Sequence, residues 1–285
     1  MGGIALGHAE AERPVARLLD VFAAHRVADD TFDAVLPDAG MGRPFGGHLM
    51  GLAIRAAAGT VEGATGPAPH SLHARFVRVG RAGDPLRLTV ARVHDGRTIA
   101  VRQVTAAQGE RVLLTADLSF HAAADTGGHW QPRQDRLRVP EHTAFSPLGG
   151  VPALAPFEIR AQHEHVRGAP ARLHPFWARA REAPPDDDPV VSVCGLAVLT
   201  DVGVTASARE PGSPLRVQRT AVTLDHALWL HTPFRLDEWL QIAVDPVVNA
   251  AGCGLARGEV SRADGTLVAS FAQEVLLRLP GDADR

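Results

Sequence analysis

The chain has 285 residues, of which 45% are hydrophobic and 21% charged, with a net charge of −3 and a pI near 6.5. That length accommodates two domains of about 100–150 residues. The composition sustains a packed core rather than a disordered chain, and the charge leaves no electrostatic footprint for nucleic acid. Lysine and tyrosine are both absent, a pattern read as codon bias, so Schiff-base lysine chemistry and tyrosine acid–base chemistry are excluded.

The two cysteines, Cys194 and Cys253, are far apart and point to neither a disulfide framework nor a metal knuckle. Residues 1–12 show no basic segment followed by an apolar one, so no signal peptide is expected. No apolar run of about 18 residues is read, so no membrane partner is expected and the expected address is cytoplasmic.

In chain order, residues 11–26 read as an amphipathic helix with Val15, Leu18, Leu19 and Phe22 on one stripe, and Thr31 to Leu36 as a short strand. Gly46 to Val61 is apolar nearly all round, so it predicts a helix buried on most sides. Strand patterns follow at 70–79, 86–94, 98–107 and 111–121, and the Asp95-Gly96 and Gln108-Gly109 turns make neighbours antiparallel. Arg75, Arg78, Arg97 and Arg102 alternate with apolar residues and read as a solvated sheet face, with phosphate binding as the other reading.

Residues 125–155, rich in glycine and proline, read as a linker between an N-terminal unit at 1–124 and a C-terminal unit at 156–285. The second unit repeats the order of the first. A second apolar helix is predicted over Val190 to Val204, then strands at 214–231, 239–250, 253–262 and 266–279. Two units that each leave a helix and a sheet face uncovered can bury both by pairing side by side.

Several words of the sequence resemble the type II acyl-CoA thioesterase family, in the family's order. They include Phe45-Gly46-Gly47, His70-Ser71-Leu72-His73-Ala74-Arg75-Phe76 and Asp95-Gly96-Arg97 in the first half. In the second half they include Thr200-Asp201, Thr223-Leu224-Asp225-His226-Ala227-Leu228-Trp229 and Val268-Ala269-Ser270-Phe271-Ala272-Gln273-Glu274. The resemblance implies an α+β double hotdog, two antiparallel sheets each wrapping a long buried helix. It implies a thioester hydrolase of acyl-CoA or a related acyl carrier, in fatty acid metabolism, assembled as a homo-oligomer and needing neither cofactor nor metal. It also implies a catalytic group of Asp201, Thr223 and Gln273, with Gly46, Gly47 and His48 binding substrate. The chain departs from the family pattern at His48, where glutamine is usual, and at Thr232, where arginine is usual.

The residues themselves leave alternatives open. Asp201 is either a surface carboxylate at a helix end or an acid placed for chemistry. Thr223 fits an ordinary strand, and Gln273 fits a solvent-facing one. Water attack on a thioester needs a proton acceptor, groups that orient the water and donors for the oxyanion; an aspartate, a threonine, a glutamine and a helix N-terminus supply these. The G-x-S-x-G nucleophile word is absent. His163-Glu164-His165, His226 and His231 carry no metal-ligand spacing. A non-hydrolytic double hotdog protein that binds a carrier-linked acyl or polyketide chain is the alternative function.

Overall fold

The computed structural model describes residues 17–40, 42–61, 68–122, 130–132, 137–141, 151–161, 173–186, 188–209 and 220–278. The first half contains a short helical turn α1 (Leu18–Val21), strands β1 (His25–Ala28) and β2 (Thr31–Val35), and the long helix α2 (Gly46–Ala58). Strands β3 (Ala68–Phe76), β4 (Pro85–Asp95), β5 (Ile99–Gln108) and β6 (Arg111–His121) follow. The second half contains β7 (Phe157–Ala161), β8 (Phe176–Ala180), the long helix α3 (Pro189–Asp201) and a further turn α4 (Val204–Ser207). Strands β9 (Thr220–Leu230), β10 (Leu240–Ala250), β11 (Cys253–Arg262) and β12 (Leu267–Arg278) complete it.

Among the described residues all pairings are antiparallel, and the strand order is β1-β2-β4-β5-β6-β3-β9-β12-β11-β10-β8-β7. The order reads the same outward from the β3–β9 seam in both directions, which is the pseudo-twofold implied by the repeat. The two six-stranded halves are therefore joined edge to edge through Ser71–Arg75 against Asp225–Trp229.

The two long helices lie antiparallel on each other. Gly47 meets Ala197 and Val198, Gly51 meets Cys194, and Arg55 pairs with Asp188 at 2.5 Å. A methyl at Gly47 would come within 2.8 Å of the Val198 Cα, so glycine is what lets the backbones approach this closely. Every residue from Val191 to Asp201 is buried. The stretch Pro189–Ser207 is 19 residues long with a mean hydropathy of 1.8, which corrects the reading that no such apolar run exists; 72% of it is buried inside the protein. It is also interrupted, because Val202 is extended and Gly203 turns left-handed at φ 74°, so α3 stops at Asp201 rather than at Val204.

Two further expectations are corrected. Residues 11–16 lie outside the described part, Arg17 is extended, and within 17–26 only Leu18–Val21 of the predicted 11–26 helix is helical. Its apolar stripe is used by Leu18 and Phe22 turning into the core, while His25–Ala28 pair with β2 through a turn in which Asp30 takes φ 55°. Strands β7 and β8, five residues each, extend the sheet edge. Arg102 is fully buried, not solvated. Its guanidinium bonds the Thr60 hydroxyl and carbonyl, the His94 and Val101 carbonyls, and Asp95. A buried arginine with its donors satisfied ties β5 to the end of α2.

Candidate active site

Asp201 is the last residue of α3, and the antiparallel packing sets it against the first turn of α2. The first N–H groups of a helix have no partner within it. Phe45 precedes α2 and offers no side-chain cap, and the Gly47 N–H instead donates to Asp201 Oδ2 at 2.7 Å. Asp201 thus caps a helix from 154 residues away, and the positive end of the α2 dipole faces its charge. The side chain is only 7% exposed. Burial raises its pKa from 3.8 to about 7, with the Gly47 N–H and the Gln273 side chain pulling in the opposite direction. A carboxylate poised there can accept or return a proton near neutral pH.

Gln273 and Thr223 come from adjacent strands, β12 and β9. The Gln273 amide Nε2 donates to Thr223 Oγ1 at 2.8 Å. Thr223 and His226 are three apart, a spacing that would put them on opposite faces of a regular strand. A register shift between the Glu274–Asp225 and Val275–Thr223 pairs absorbs one residue, so both point inward. Gln273 is fully buried rather than solvent-facing.

The structure therefore brings Asp201, Thr223, Gln273 and Gly47 together. Gly46 is beside them: a methyl there would lie 2.9 Å from Asp201 Oδ2 and 3.2 Å from the Phe76 ring. His48 turns the other way. Its Nε2 reaches the Val21 carbonyl at 2.5 Å, its ring meets Phe22 edge-on at 5.7 Å, and burial lowers its pKa. His163–His165 lie outside the described residues, and among the described residues no cluster of three metal-ligating side chains forms.

Sequence reading missed His226. It is 1% exposed and sits directly opposite Gln273 in the ladder, with Nδ1 2.7 Å from Gln273 Oε1 and Nε2 3.2 Å from Thr200 Oγ1. Burial lowers its pKa to about 4, so the ring is neutral at pH 7. The only signal in the sequence was its place in the word shared with the family.

A long helix wrapped by an antiparallel sheet, twice over with the two helices packed together, defines a double hotdog. A hot dog fold protein of Alicyclobacillus acidocaldarius superposes with a TM-score of 0.74 over 92% of this chain and 98% of its own, at 20% identity, which bears on the fold alone. The acyl-CoA thioesterase N-terminal domain matches residues 36–121 and the acyl-CoA thioesterase C-terminal domain residues 133–277. The chain belongs to the acyl-CoA thioesterase family. Human acyl-coenzyme A thioesterase 8 is 29% identical over 261 residues, 83% of this chain and 81% of that protein. The acyl-CoA thioesterase II TesB2 of Mycobacterium marinum is 26% identical with a TM-score of 0.74, covering 94% of this chain and 99% of its own.

Proposed function

We propose that this protein hydrolyses acyl-CoA thioesters with a water activated by Asp201 and oriented by Thr223 and Gln273. The observation that carries the reading is a buried carboxylate with its pKa raised to about 7, fixed on the Gly47 N–H and adjoining the Gln273–Thr223 pair. Asp201 takes a proton from the water as the oxygen bonds to the thioester carbon. The charge that develops on the carbonyl oxygen is met by N–H groups at the start of α2, where the helix leaves donors without internal partners. Collapse breaks the carbon–sulfur bond, and the leaving CoA sulfur takes the proton back from Asp201. The products are the acid and free CoA.

Two further features support an acyl substrate. Gly46 keeps the approach to Asp201 clear where any side chain would crowd the carboxylate. An apolar cleft opens between the helix pair, at Ile54 and Val193, and strands β3, β6 and β9, at Leu72, Leu118, Leu228 and Leu230. Ile54 lies seven residues along α2 from Gly47, roughly 10 Å at 1.5 Å per residue, and in this reading the acyl chain extends along the helix pair toward it. A second cleft, bordered by Arg17, Leu19, Pro156, Glu182 and Pro184, holds none of the site residues. Homo-oligomer formation rests on the family resemblance alone; light scattering tests it.

The deciding experiment is thiol release by Asp201→Asn across acyl-CoA lengths, with binding measured separately. Loss of release with binding retained supports the reading. Full activity in this variant would move the chemistry elsewhere and favour a non-hydrolytic role for a carrier-linked acyl chain.

A further inference from the structure

We infer that His226 is a positioning residue that fixes which end of the Gln273 amide faces Asp201. The inference rests on the proposed role of Asp201 and deepens it.

Gln273 presents a carbonyl oxygen on one side and an NH₂ on the other, and the two are interchanged by a half turn. Its neighbours are Thr223, His226 and Asp201. Two hydrogen-bond circuits satisfy every group. In one, the Thr200 hydroxyl donates to His226 Nε2, His226 Nδ1–H donates to Gln273 Oε1, and the Gln273 NH₂ donates to Thr223 and toward Asp201. In the other, every bond is reversed. Thr200 donates to the Ala197 carbonyl, 3.2 Å away, His226 donates from Nε2 to Thr200, and the Gln273 carbonyl turns toward Asp201.

The carboxylate decides between them. An amide oxygen aimed at a buried carboxylate sets two acceptors against each other with no proton to share, and such a contact is costly where water is excluded. With Asp201 ionised, only the first circuit holds, and it requires a neutral imidazole carrying its proton on Nδ1. Burial keeps the ring neutral. Packing keeps it in place: it lies parallel to the Phe271 ring, 11° off, with centroids 5.7 Å apart. The other charged group near the ring is Asp225, which faces the outer side of β9 and pairs with Arg75 at 3.8 Å. His226 therefore acts on the reaction through Gln273, as the third group of a triad orients its base.

The test has two arms. In the unmodified protein with ¹⁵N-labelled histidine, the His226 ring, assigned by its absence in His226→Asn, should show a protonated Nδ1 and a bare Nε2 at pH 8. A protonated Nε2 with bare Nδ1, or an imidazolium, overturns the inference. In the kinetic arm, His226→Ala should lower kcat by about 10- to 100-fold, by analogy with the outer hydrogen-bond partners that orient metal ligands, with KM changed less than about twofold. His226→Asn, whose Nδ2 falls near the place of Nδ1 and can donate to Gln273, should recover most of the loss. Unchanged kcat in His226→Ala, or a folded His226→Asn as slow as the alanine variant, overturns it. The spectrum reads the proton's place whether or not Asp201 is the base, so failure here is distinct from an active Asp201→Asn.

Discussion

The Gly47 N–H donates to Asp201 at 2.7 Å, so the acid proposed to drive the chemistry also caps the opposite helix. The two roles separate on substitution. Asparagine keeps an oxygen for Gly47 but cannot take a proton from water, so Asp201→Asn should lose about 10²–10⁴-fold in kcat while remaining folded.

Stability should move the other way. The Asp201 pKa is raised from 3.8 to about 7 in the folded protein. Between those values the folded state holds a proton that the unfolded chain has released. The contribution is complete below about pH 4 and is lost as pH rises through about 7. Asparagine does not titrate, so the melting temperature of Asp201→Asn relative to the unmodified protein should rise from pH 4 to pH 8. A difference that stays flat with pH would show that the carboxylate is not buried as described.

The rate should follow the same group. Activity should climb with pH through about 7 as Asp201 ionises. The Gln273 side chain lowers that pKa, so Gln273→Ala should shift the acidic limb of kcat to higher pH as well as lower the plateau. An acidic limb that Gln273→Ala leaves in place would contradict the contact.

Thr223 and Gln273 are bonded to each other and proposed to hold one water. Their alanine variants should each lower kcat more than they raise KM, and the double variant should be little worse than the worse single one. Fully additive losses would separate the two residues functionally.

The adjacent glycines should fail differently. Gly47→Ala drives a methyl against the Val198 backbone, 2.8 Å away, and should destabilise the protein by about 1–3 kcal/mol, as overpacking does. Gly46→Ala meets the end of the Asp201 side chain at 2.9 Å. It should displace the carboxylate from Gly47 and cost mainly kcat. Equal melting temperatures for the two variants would refute this division.

The two long helices and the long strands were legible because their apolar pattern is local, and Asp201 was legible as an acid in an otherwise apolar helix. What joins the site together is not local. His226 meets Gln273 only through a register spanning 47 residues. Thr223 faces inward only because of the register shift beside it, whereas strict alternation would send it outward. Arg102 shares a strand face with the buried Ala100, Val104 and Ala106, but a charge there is tolerated only because Thr60 and Asp95 arrive from other elements to meet it. Strands β7 and β8 are too short to show a period at all.

The seam between β3 and β9 also sets a timetable for synthesis. Ser71–Arg75 reach the ribosome exit about 150 residues ahead of their partners at Asp225–Trp229. At about 5–20 residues per second this is a delay of roughly 8–30 s. For that time the nascent first half carries an open strand edge, the geometry that invites pairing with another chain. The finished sheet closes its own middle, so the hazard belongs to the growing polypeptide and not to the folded protein.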